Sequence, residues 1–143
     1  MIRMAQFTDE ESLYQLICEL EETNLNHAAF SHAWRTQWDD AHYVCLVYEQ
    51  AGVIIGVCNL RLEEQLHHAA WIAEILELSV KGSHRSAGIG KQLLAAACQL
   101  ARQRGCIQIE VSSNVKRSAA HRFYQREGFQ QKHYKFTMKL FDQ

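Results

Sequence analysis

The chain has 143 residues, a common size for a single domain that buries its own core without disulfide or metal staples. Its 15 Lys and Arg against 16 Asp and Glu give a formal net charge of -1, which excludes a global pull toward nucleic acid or an anionic membrane and favours a small-molecule partner. No window approaches the roughly 18–20 apolar residues that span a bilayer, and no basic patch followed by an apolar run opens the chain, so a soluble, unexported protein is expected. Cys18, Cys45, Cys58, Cys98 and Cys106 show no C-x-x-C spacing and sit in apolar stretches, as reduced core residues of a cytoplasmic protein do.

Residues 2–7 alternate as a strand does, and Thr8 and Glu11 have the spacing of a capping box, which predicts a helix from Thr8. Leu13, Leu16, Ile17 and Leu20 give that helix one buried stripe, ending before Thr23. A shorter helix is expected over residues 26–38. Residues 43–49 and 53–62 read as strands joined through Gln50, Ala51 and Gly52, an antiparallel hairpin. A strand over 71–80 precedes a polar loop over 81–87. Ile89, Leu93, Leu94, Ala97, Leu100 and Ala101 then mark a helix that Gly105 stops. The strand at 107–113 completes a right-handed crossover and so runs parallel to 71–80. A last helix over 116–127 stops at Gly128, and the aromatic content of 129–141 favours a final strand. The order β-α-α-β-β-β-α-β-α-β is that of a single α/β (α+β) domain over residues 1–143, a mixed and mostly antiparallel twisted sheet with one parallel crossover and helices on both faces.

Gly88 and Gly90 fall where a loop meets the first turn of a helix, whose free N–H groups and positive dipole end attract phosphate. Two nucleotide motifs fail on residues. The dinucleotide fingerprint requires glycine at position 93, which is Leu93, and a first glycine directly after the strand. The P-loop requires glycine at position 85 and Ser or Thr after Lys91, where Arg85 and Gln92 stand.

Arg85-x-x-Gly88-x-Gly90, after a strand and opening a helix, resembles the pyrophosphate loop of the GNAT superfamily of N-acetyltransferases. Asn114, Ala120, Tyr124 and Gly128-Phe129 resemble its second signature. The longer strings His67-His68-x-x-Trp71-Ile72-x-Glu74 and Asn114 through Gly128 look like the bacterial aminoalkylphosphonate N-acetyltransferases. The resemblance implies that Arg85, Ser86, Ala87, Gly88, Ile89, Gly90 and Lys91 carry the pyrophosphate of acetyl-CoA. It implies that backbone groups of Leu78, Ser79 and Val80 pair with the pantetheine arm where the parallel strands splay apart, and that Asn114 binds cofactor amides. Glu74 is the implied general base, working through water, and Tyr124 the acid that protonates the departing thiolate.

Glu77 is the rival base. In a regular strand it faces away from Glu74, so the two share a site only across a bulge. No cysteine adjoins either motif, which points to direct transfer without an acetyl-enzyme. The eight histidines form no compact metal motif. A phosphonate substrate nevertheless needs positive partners, which His67, His68, Arg61 or a divalent metal ion can supply. Lys116, Arg117 and Arg122 form a second basic cluster that suits cofactor phosphates or solvent. The expected activity is acetylation of a small primary amine in a homodimer paired through an edge strand, with a protein or peptide N-acetyltransferase and a non-catalytic acyl-CoA sensor as alternatives.

Overall fold

A computed structural model describes residues 1–141. The chain divides into two compact units, Met1–Val111 and Ser112–Gln143. The first holds β1 (Ile2–Met4), α1 (Glu10–Glu21), α2 (His27–Trp38), β2 (Tyr43–Gln50), β3 (Val53–Gln65), β4 (Ala70–Val80), α3 (Ile89–Gln103) and β5 (Cys106–Val111). The five strands form one sheet in the order β1-β2-β3-β4-β5, antiparallel throughout except for the parallel pair β4/β5. A connection through α1 and α2 from β1 to β2, short turns from β2 through β4, and one strand–helix–strand crossover account for that order.

The alternation of β2 and β3 sorts side chains onto two faces. Val47 lies opposite Val57, and both join Ala5, Leu13, Leu16, Trp34 and Ile54 in a core beneath α1 and α2. Tyr48 and Gly56 face the other way, toward Ile89 and Leu93 of α3. The helices therefore cover both faces, as the element order implied. A Cβ on Gly56 would lie 2.9 Å from Leu93 Cδ1 and 3.3 Å from Ile89 Cγ2, so glycine here lets the first turns of α3 approach the sheet. Gly56→Ala is expected to cost about 1–3 kcal/mol through overpacking, read as a lowered midpoint in urea at unchanged slope.

The β2–β3 hairpin turns at Ala51 and Gly52, whose φ angles of 51° and 79° are the left-handed pair that a two-residue turn requires. At the start of α1 the structure differs from the sequence reading. Asp9, not Thr8, precedes the helix, and a 3₁₀ turn spans Phe7–Asp9. The Asp9 carboxylate accepts the Gln6 N–H at 2.7 Å and pairs with Arg3 at 2.8 Å. A carboxylate held by a guanidinium thus fastens the 3₁₀ turn, and α1 starts after it at Glu10.

The second unit holds α4 (Ser118–Arg126), which Gly128 ends with a φ of 103°. The strand expected over 129–141 is not formed. Tyr134, Phe136, Met138 and Leu140 keep the alternation of a strand but are exposed, Phe136 at 91%. Strand propensity reflects a residue's fit to a paired, half-buried surface, and this unit contains no other strand to pair with among the described residues.

Candidate active site

The register between β3 and β4 slips by one residue. Arg61 pairs with Glu74 and Leu60 with Ile75, but Asn59 then pairs with Glu77, leaving Leu76 as an extra residue on β4. This bulge is the condition under which Glu74 and Glu77, three positions apart, share a face. Their partners Arg61 and Asn59 are two apart on β3 and point the same way, so both carboxylates lie on the face covered by α1 and α2.

The two carboxylates have different neighbours. Glu74 Oε1 accepts a 2.8 Å hydrogen bond from Arg61, whose Nε also stands 3.7 Å from Glu63. Arg61 Nε is buried and makes no hydrogen bond within the protein. Glu77 Oε1 instead accepts from Asn59 Nδ2 at 2.9 Å, and the same Nδ2 donates at 3.0 Å to Gln37 Oε1 on α2. Asn59 is only 6% exposed, one of two polar residues in the buried set. Burial pushes the Glu77 carboxyl above its ordinary range, the Asn59 bond pulls it partway back, and the negative Glu21 on α1 pushes it further up. A raised carboxyl favours folding in its protonated form. Its contribution is complete below the ordinary carboxylate value and is lost as pH rises through the folded one.

Beside this pair lies a cavity of about 300 Å³ lined by Trp34, Gln37, Trp38, Tyr43, Cys45 and Asn59, among others. Gln37 and Asn59 thus belong to both the cavity wall and the hydrogen-bond chain that ends on Glu77. Neither was singled out from the sequence. The available signal was Asn59, a lone amide in the apolar run from Ile54 to Leu60. Burial also pushes the Cys45 thiol far up, which keeps it protonated and a poor nucleophile.

β5 follows β4 only from Trp71 to Ile75, which pairs with Val111. Beyond Ile75, Leu78, Ser79 and Val80 pair with Cys58, Val57 and Gly56 of β3 alone, so the parallel strands part as expected and leave one edge of β4 without a ladder. Ser79 Oγ is buried without a hydrogen-bond partner.

Val80 leads into a 3₁₀ turn at Gly82–His84 and then to Arg85. Glu19 of α1 anchors this loop, its Oε1 accepting the Gly82 N–H at 2.8 Å and an Arg85 N–H at 3.4 Å, while Arg85 Nε donates to the Val80 carbonyl at 3.1 Å. Arg85 therefore braces the loop. Ser86 and Gly88 both adopt left-handed φ angles, 69° and 79°, before Ile89 and Gly90 begin α3. No side chain caps this helix, and a Cβ on Gly88 would meet no protein atom within 4 Å. Open space therefore lies beside Gly88 at the uncapped start of α3, with Ala87 before it and Lys91 in the first turn. These residues fit a pyrophosphate.

In the C-terminal unit, Asn114 Oδ1 accepts the Lys116 N–H at 2.9 Å and its backbone carbonyl accepts from His121 at 2.8 Å, which folds the turn before α4. The Tyr124 ring packs edge-on against Phe123 and Phe129, each at 5.4 Å. The His67 and His68 rings lie 4.3 Å apart, and His68 Nδ1 is 2.6 Å from Gln65 Oε1. Among the described residues, no three His, Cys, Asp or Glu side chains gather where a metal ion can be held.

Residues 10–129 match the acetyltransferase (GNAT) family. The chain is 42% identical over 139 residues to the aminoalkylphosphonate N-acetyltransferase of Salmonella typhimurium strain LT2, covering 97% of this chain and 90% of that protein. Among solved structures it resembles a transcriptional regulator from Bacillus halodurans C-125, with a TM-score of 0.90, 24% identity and coverage of 98% and 99% of the two chains. It also resembles the aminoglycoside N-acetyltransferase AAC(6')-Iy in complex with CoA, with a TM-score of 0.88, 19% identity and coverage of 98% and 94%.

Proposed function

This chain belongs to the acetyltransferase (GNAT) family, and we propose that it moves acetyl from acetyl-CoA directly to the primary amine of an aminoalkylphosphonate. The observation that carries this reading is the bulge at Leu76, which sets two carboxylates on one face of β4, one on each side of the point after Ile75 where β4 leaves β5. Proton acceptors and an open strand edge are what an amine and a thioester arm need side by side.

Acetyl-CoA supplies the activated acyl group. The α3 amides of Ile89, Gly90 and Lys91, with Ser86, Ala87 and Gly88 before them, hold the pyrophosphate, and Arg85 keeps their loop in shape. The free edge of Leu78, Ser79 and Val80 hydrogen-bonds the pantetheine amides as an added strand does, and one of its N–H groups polarises the thioester carbonyl. Asn114 binds cofactor amides, and Tyr124 protonates the departing thiolate. A glutamate of β4 removes a proton from the amine, the role that the family signature implies for Glu74. Transfer is direct, since no cysteine adjoins the glycine loop or the Asn114–Tyr124 motif. Arg61, whose Nε makes no hydrogen bond within the protein, and the His67–His68 turn supply charge to the phosphonate. Cytoplasmic residence, which suits five unpaired cysteines, and a homodimer joined through an edge strand complete the proposal.

Incubation with acetyl-CoA and a panel of aminomethylphosphonate, aminoethylphosphonate and short peptides, followed by free-thiol detection, tests this reading. Thiol release is expected with the phosphonates and not with peptides. Release with peptides alone would reassign the acceptor. Tight CoA binding with no release from any amine would identify a sensor.

A further inference from the structure

The family signature points to Glu74, but the surroundings of the two carboxylates favour the other one. We propose that Glu77 is the group that takes the proton from the amine, held in place by the Gln37–Asn59 hydrogen-bond chain, and that Glu74 serves to position Arg61. The proposal rests on the acetyltransferase reading above and assigns roles within that site.

Glu74 already has a cation 2.8 Å away, and protonating it would dissolve that ion pair. Glu77 has no cation bonded to it. Its only hydrogen bond among the described residues comes from a neutral amide to Oε1, so Oε2 has no such partner. The charged and titratable groups around it are Glu21 on α1, Cys45 on β2, Cys58 on β3 and, along the same face, the Glu74–Arg61 pair. None offers Glu77 a positive partner, so its affinity for a proton is not spent on a salt bridge. An Asn is well suited to hold such a group. It donates one N–H to Glu77 and the other to Gln37, which fixes the carboxylate without neutralising it. Because Asn59 and Gln37 also line the cavity, a substrate lodged there lies beside the chain that orients the base.

The step balances as follows. An ammonium substrate gives one proton to Glu77, which passes it to solvent. The amine lone pair forms the C–N bond at the thioester carbon as the C–S bond breaks, and the bonding pair leaves with sulfur. The second nitrogen proton is lost as the amide forms, and the thiolate gains one proton, so the net products are amide, thiol and one proton in water.

The test is the pH dependence of kcat/KM with aminoethylphosphonate for the wild type, Glu77→Gln, Glu74→Gln and Asn59→Leu. The wild type should show an acidic limb above the ordinary carboxylate value. Glu77→Gln should lower kcat/KM about 100- to 10,000-fold and abolish the limb, whereas Glu74→Gln should keep the limb. Asn59→Leu removes a bond that favours the ionised carboxylate, so the limb should move to higher pH. A mere packing role for Asn59 would leave the limb in place. If Asn59→Leu does not fold, Gln37→Leu should move the limb in the same direction by less. A limb that survives Glu77→Gln, or that vanishes with Glu74→Gln, overturns the proposal. Wild-type protein that releases no thiol from any amine overturns the acetyltransferase reading instead.

Discussion

Tyr124→Phe is expected to lower kcat about 100- to 10,000-fold while the affinity for CoA changes by less than about threefold, about 0.6 kcal/mol. The substitution deletes one hydroxyl and leaves the ring, whose edge-on packing against Phe123 and Phe129 at 5.4 Å does not involve the oxygen. An interaction made only as the thiolate departs affects turnover, not binding of the intact thioester. Steady-state kinetics beside calorimetric titration with CoA separates the two. Equal losses in both would mean that the phenol serves the architecture of the C-terminal unit and that the proton comes from elsewhere.

Gly88→Val should act in the opposite manner, raising the KM for acetyl-CoA while kcat at saturation stays within a few-fold. A φ of 79° costs a residue bearing a Cβ roughly 1–2 kcal/mol, and a β-branched side chain is the least tolerant of it. Branching also places methyl groups in the space before the first amides of α3, where a Cβ meets no protein atom and a phosphate would lie. Together these should raise KM about 10- to 100-fold, equivalent to about 1.4–2.8 kcal/mol. Gly88→Ala carries most of the backbone penalty with little of the obstruction. A similar KM increase in both variants would show that loop conformation, not clearance, limits binding.

Much of the architecture was legible because it depends on local periodicity. The stripe from Ile89 to Ala101 fixed α3, and strand, helix and strand in succession fixed the parallel pair β4/β5. The segment 129–141 misled because its alternation is real, yet pairing must come from a distant strand that local pattern does not supply. The helix start was placed at Thr8, too early, because the 3₁₀ turn that precedes α1 is fastened by the Asp9–Arg3 pair, a tertiary contact. In the site, the glycine loop and Glu74 were visible as spacings. The Gln37–Asn59–Glu77 chain joins α2, β3 and β4 and has no spacing of its own. The sequence set only the condition, that Glu74 and Glu77 share a face across a bulge, and the position of the bulge at Leu76 comes from the pairing with β3.

The bulge at Leu76 also bears on how acidic pairs are compared between relatives of this chain. Strand parity, not distance along the chain, decides whether two carboxylates look into the same space. A homologue without the extra residue would need Glu-x-Glu to present what this chain presents with Glu-x-x-Glu. Alignments that hold the residue count fixed would then match an active carboxylate to a side chain on the opposite face. Counting rungs on the neighbouring strand, with Asn59 and Arg61 as the reference marks, removes that ambiguity and turns a one-residue insertion into a readable switch between one acidic group and two.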